Sequence, residues 1–405
     1  MTDTLPFQDD LSILSTPLTI GSLTLANRLV IQPMEGCDGT LGGAPDELAV
    51  RRYRRFAESG AGLIWFEAVA VVPEGRANPH QLAINSDNVG DYARLLSEIR
   101  EISRRETGVS PVIIMQATHS GRYSKPHGKP APSIARNNPL FEGDSPLPPE
   151  CIITDDALKQ LEARYAEAAK LAEQAGFDGV DVKACHGYLN NELLGAHTRP
   201  GAYGGSFENR TRLFRNVVEA IRAAVPGDFI VTSRMNIYDG FPYPYGYGVG
   251  TDGGIEPDLS EPIELLRLLN FDLVDITMGN PYQNPWVNRP TDLEAVELMC
   301  WLTKEIQDAY PQTAVVASGV SFLRERSGEL AAGYVQSGIC KLVGFGRMAF
   351  AYPRFARDIL SGEFDKKQSC ITCGKCTELM RAGSVTGCVV RDGIYTKLYK
   401  EVCVK

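Results

Sequence analysis

Eight short segments rich in apolar and β-branched residues recur along the chain, at 29–33, 62–71, 111–118, 179–185, 229–236, 273–279, 313–319 and 340–346. Between most of them lies a stretch of helical periodicity, such as DYARLLSEIREISRR, EARYAEAAKLAEQAG, EPIELLRLL or LEAVELMCWLTKEIQDAY. A strand buried on both faces reads as a continuous apolar run, and the helix that covers it shows one apolar stripe. Repeated alternation of the two closes a parallel sheet into an α/β fold, the (β/α)8 TIM barrel. At 405 residues with 43% apolar content, one such barrel occupies 1–365 and leaves a short Cys-rich segment at 366–405.

A barrel turns the C-terminal ends of all its strands to one face. Those ends carry Pro33, Met34 and Glu35, then Glu67 and Ala68, Gln116, Arg234, Asn280, Ser318 and Gly319, and Gly344 through Arg347. The fourth is the most polar: Lys183, His186 and Tyr188 put a cation, an imidazole and a phenol within six positions. Acid/base groups crowded at a strand end are what an α/β active site needs, although a polar strand cap has the same composition. After the seventh and eighth strands, Ser318-Gly319 and Gly344-Phe345-Gly346-Arg347 suit a phosphate, because glycine leaves backbone N–H groups open to close approach.

Taken with HGYLNNELLGAHTR, YGGSFENR, the SLTLANRLVIQPM opening and the GFGR close, these ends resemble the Old Yellow Enzyme family of FMN-dependent oxidoreductases over roughly residues 12–362. The resemblance implies an FMN across the barrel mouth, touching Pro33, Met34, Glu35 and Ala68, with Gln116 at its pyrimidine edge and Arg234 near N1. Ser318, Gly319, Gly344, Gly346 and Arg347 would then take the phosphate. It also implies Tyr188 as proton donor, and a carbonyl-holding pair at Lys183 and His186. Two positions depart from the family. Lys183 stands where a His is usual, and a lysine is a longer, more strongly hydrated point charge. Glu35 stands beside the flavin, where a carboxylate is costly unless protonated or paired.

Cys370, Cys373, Cys376 and Cys388 form C-x2-C-x2-C-x11-C beyond the barrel pattern, and four thiols so spaced suit a metal site. Similarity to 2,4-dienoyl-CoA reductase and trimethylamine dehydrogenase, where a comparable run follows the barrel, implies a 4Fe-4S cluster; a zinc knuckle and disulfides are the alternatives. The other cysteines are scattered, as buried small hydrophobes are. No G-x-G-x-x-G follows a strand, so the electrons are expected from NAD(P)H at the mouth or from a separate electron-donor protein.

The chain carries a net charge of −9, which argues against a nucleic-acid role. Its N-terminus lacks an apolar h-region, and the longest apolar stretch, near 62–72, is too short to span a membrane. A cytoplasmic homo-oligomer is expected. Two irregular stretches, 119–153 and the tyrosine-rich 237–260, follow strand ends and would either roof the pocket over a planar substrate or pack on the barrel. The leading reading is an ene-reductase acting on an activated C=C of a small unsaturated molecule. Desaturation, amine demethylation, a zinc-stapled lyase using Lys183 as a Schiff-base amine, and an electron-transfer subunit are the alternatives.

Overall fold

The computed structural model describes residues 5–404. The chain opens with an antiparallel hairpin, β1 (Leu18–Ile20) and β2 (Leu23–Leu25). A ring of parallel strands follows: β3 (Leu29–Ile31), β4 (Leu63–Ala70), β5 (Val112–Thr118), β6 (Gly179–Val182), β7 (Ile230–Thr232), β8 (Arg234–Asn236), β9 (Leu273–Thr277), β10 (Ala314–Ala317) and β11 (Leu342–Phe345). β7 and β8 are one strand broken at Ser233. β7 pairs with β6 and β8 with β9, while the Ser233 carbonyl accepts from Asp275 N (3.0 Å) and its hydroxyl donates to Val182 O (2.7 Å). The ring therefore closes as a (β/α)8 barrel, and the expected strands run one to three residues shorter where their ends peel into loops.

Side chains alternate across each strand. Val30, Leu63, Trp65, Val112, Ile114, Leu273, Val316 and Leu342 point inward and pack with Ile20 and Leu25 of the hairpin, which plugs the N-terminal end. Their neighbours, among them Leu29, Ile31, Phe66, Val180, Val182, Val315 and Phe345, face the helices. The helix Asp155–Ala175 shows why that outer layer forms. Thr154 Oγ1 accepts from Ala157 N at its start, Gly176 ends it at φ 92°, and Leu158, Leu161, Tyr165, Ala168, Ala169 and Ala172 make its buried face.

Residues beyond 365 lie on the C-terminal mouth of the barrel. Helices Lys375–Arg381 and Gly393–Val402 share a small core of Leu379, Val389 and Tyr395. Thr386 N donates to Gly36 O (2.7 Å), and Asp392 pairs with Arg51 (2.7 Å) and Arg55. No helix among the described residues is long and apolar enough to cross a membrane.

Candidate active site

Above the apolar plug the barrel interior turns polar. Asp181 sits where β6 points inward, and its carboxylate accepts from Trp65 Nε1 (2.8 Å), Gln116 Nε2 (2.6 Å) and Arg234 N (2.7 Å). Asp275 on β9 accepts from Gln32 Nε2 (3.0 Å) and pairs with the Arg234 guanidinium (3.1 Å). Burial pushes both acids up, Asp181 to about 6 and Asp275 to about 7, even with these partners. This network orients Gln116 and Arg234 under a single cavity.

Pro33, Met34, Glu35, Ala68, Gln116, Lys183, His186, Tyr188, Arg234, Ser318, Gly319, Gly344, Gly346 and Arg347 all line that cavity. Seven strand ends far apart in sequence thus meet at one place. At Gly344 a Cβ would lie 2.0 Å from Gln32 Nε2, and at Gly346 2.9 Å from Met34 Sδ. Gly319 has φ 85°. Bare backbone is required at all three, first by packing.

The titratable groups form a second layer. The Lys183 ammonium lies 3.7 Å from the centre of the Tyr188 ring, and burial lowers its pKa. Tyr188 donates its hydroxyl proton to Glu35 Oε2 (3.3 Å). Glu35 is held further by Asn78 Nδ2 (3.5 Å), Cys37 Sγ (3.7 Å) and the charge of Lys183, yet burial raises its pKa. It is therefore paired, with its pKa raised from the ordinary carboxylate value. Burial, then Glu35, drives the Tyr188 phenol well above its ordinary value. Asn288 Nδ2 donates to His186 Nε2 (2.9 Å), which leaves the ring proton on Nδ1. Burial, with Arg234, Lys183 and Arg289 nearby, keeps His186 neutral.

Sequence reasoning missed the rim. Pro281, Tyr282, Asn288, Arg289 and Pro290, following β9, and Thr377, Met380, Arg381 and Thr386, from the tail, also line the cavity. Arg289 donates to Thr377 Oγ1 (2.9 Å), and Arg289 and Arg381 both donate to Pro281 O (3.2 and 2.9 Å). Burial lowers the Arg289 pKa, and Arg347 and Arg381 lower it further, so three guanidiniums crowd one wall. The polar run after β9, with its Asn-Pro pairs and one arginine, was the available signal. Stretches 119–153 and 237–260 put no residue in the lining itself; Arg136 lies over Tyr245, Phe141 meets Phe241 edge-on, and Tyr123 stacks behind the lining Tyr282, which is the packing alternative.

Cys370, Cys373, Cys376 and Cys388 line a smaller adjoining cavity, with Arg347 and Cys376 common to both. Among the described residues, no group of three or more His, Cys, Asp or Glu side chains is arranged to hold a metal ion.

Residues 13–365 match the NADH:flavin oxidoreductase / NADH oxidase family. The chain belongs to this family. It is 30% identical over 270 residues to an NADPH dehydrogenase of Clostridium acetobutylicum, covering 64% of this chain and 72% of that protein. Among solved structures, a 2-naphthoyl-CoA reductase complex superposes with a TM-score of 0.80 at 20% identity, over 96% of this chain and 58% of that one. An Old Yellow Enzyme from Pichia superposes with a TM-score of 0.66 at 24% identity, over 88% and 90%. The resemblance read from the strand-end motifs is borne out, and the protein is an FMN-dependent oxidoreductase.

The cavity suits that cofactor. Gln32 Oε1 is buried without a partner among the described residues, so a ring N–H would satisfy it. Gln116 offers an amide, Arg234 a fixed cation, and the Gly319 and Gly344–Gly346 backbone an open edge beside Arg347.

Proposed function

We propose that the protein is an ene-reductase, with FMN held by Pro33, Met34, Glu35, Ala68, Gln116 and Arg234 and its phosphate by Ser318, Gly319, Gly344, Gly346 and Arg347. The observation that carries this reading is the meeting of Lys183, His186 and Tyr188 with that donor set in one cavity. The cofactor, when bound, supplies a hydride from N5 to the β-carbon of an activated C=C. Lys183 and the Nδ1–H of His186 hold the activating carbonyl oxygen, where negative charge grows as the β-carbon is reduced. Tyr188, a phenol kept protonated by burial and by Glu35, gives its proton to the α-carbon. Lys183, against the same ring, offsets the phenolate left behind, and Glu35, hydrogen-bonded to the same hydroxyl, is placed to relay a solvent proton back to it.

The four tail cysteines are read as ligands of a 4Fe-4S cluster. All four line one small cavity that adjoins the flavin cavity, and four thiolates are the ligand set such a cluster takes. Family membership removes the ground for the zinc-stapled lyase. The test is anaerobic reduction of the purified protein, followed by titration with a cyclic 2-enone, a cinnamate or an enoyl thioester. Stoichiometric reoxidation with formation of the saturated product supports the reading; no reoxidation by any of the three, in protein that carries FMN, refutes it.

A further inference from the structure

Charge is unevenly distributed along this chain. Residues 366–405 hold eight lysines and arginines against three acidic residues, in a protein whose net charge is −9. Lys366, Lys367, Lys375, Arg391, Lys397 and Lys400 are exposed. Cys373, alone among the four clustered cysteines, is exposed as well. Large apolar side chains stand open in the same segment: Ile371 at 36%, Val390 at 39% and Ile394 at 41% of full exposure. Ile371 and Val390 line the cysteine cavity itself. Lys375 lies over the Tyr399 ring (5.3 Å), which ties the helix bearing Cys376 to the one bearing Lys397 and Lys400.

We propose that the surface of residues 366–405, basic and with exposed apolar side chains beside Cys373, docks a small acidic one-electron carrier protein of flavodoxin or ferredoxin type. The inference rests on the reading that the four cysteines hold an iron–sulfur cluster. A positive patch on an otherwise acidic protein steers an acidic partner to one spot and repels it elsewhere. Exposed apolar side chains give the encounter a desolvated centre, which neither a nucleic-acid strand nor a bulk counterion would use. Each encounter moves one electron from the reduced carrier, which is oxidised, to the cluster, which is reduced. Two encounters and two solvent protons match the two electrons and two protons that reduction of one C=C consumes. Cys376, lining both cavities, joins the docking face to the flavin cavity.

The experiment uses the holoprotein, purified without oxygen and assayed for iron, mixed in stopped flow with reduced flavodoxin. The parent should be reduced at a rate that falls about tenfold or more between about 20 and 300 mM salt. The pair of substitutions Lys397→Glu and Lys400→Glu, and separately Lys366→Glu with Lys367→Glu, should each lower the rate at low salt about tenfold or more. Reduction by dithionite should stay at the parent rate in both variants, which guards against misfolding. Rates indifferent to salt and to both charge reversals would overturn the proposal, as would salt-sensitive retention of a single-stranded oligonucleotide that excludes flavodoxin. Protein without iron would instead overturn the cluster reading, and the iron assay reports that outcome separately.

Discussion

Replacing Tyr188 by Phe isolates one hydroxyl. The ring remains, so the Lys183 contact at 3.7 Å and the tilted packing on Tyr123 at 5.8 Å survive. The hydroxyl gives up its bond to Glu35, at 3.3 Å longer than a normal O–H···O bond, and its contact with the Tyr282 hydroxyl, so folding should change by about 1 kcal/mol. The chemistry should change far more. Removing a general acid slows its step by about 10²–10⁴-fold, or roughly 3–5 kcal/mol of barrier. Burial and Glu35 hold the phenol above its ordinary value, so it stays protonated across the neutral range and the defect should not depend on pH there. In anaerobic stopped flow, the variant should keep its FMN and the parent rate of reduction by donor, and slow only on reoxidation by the alkene. Reoxidation at the parent rate with unchanged alkene affinity would refute the reasoning, since Tyr188 would then be packing and the proton would come from elsewhere.

Glu35→Gln keeps an acceptor for Tyr188 but removes the group placed to return its proton, so single-turnover reoxidation should stay within a few-fold of the parent while multiple turnover falls about tenfold or more. Arg52 is buried between Asp38 and Glu67, and Arg52→Met strands both carboxylates; urea unfolding should show a loss of about 3–5 kcal/mol above pH 7. Burial raises Glu67 to about 7, so its neutral form is the one the fold prefers, and that loss should shrink as pH falls below 7. His119 is the opposite case: burial lowers it to about 4, so its contribution is present above its unfolded value of about 6.5 and is lost as pH falls toward 4. A His119→Asn variant should unfold with a flatter pH dependence between about 6.5 and 4, by about 3 kcal/mol over the range.

The barrel was legible because its signal is local and repeated: β-branched runs such as LVI, GVDV and AVVA alternate with striped helices. The strand-end residues followed from topology alone. The plugging hairpin was missed although LTI-Gly21-Ser22-LTL carries the alternation and the two-residue turn, with Gly21 at φ 56°. Asp181 and Asp275 were also within reach, since an acid inside an apolar strand has to be answered by a buried partner, here Gln116 for one and Arg234 for the other. The tail's share of the rim could not be read: Arg381 meets Pro281 O, 100 residues away, and Thr377 meets Arg289 because the tail folds back over the mouth, and no local pattern encodes such contacts. The role of Glu35 was likewise hidden, because its partners Tyr188 and Asn78 come from two other strand ends.

Every step of the proposed chemistry depends on flavin in the barrel-mouth cavity. Protein purified without oxygen should release one equivalent of FMN, and no FAD, into the supernatant on heating, and Gln116→Leu or Arg234→Met should lower that content. Well-folded parent protein that stays free of flavin after reconstitution with FMN would contradict it.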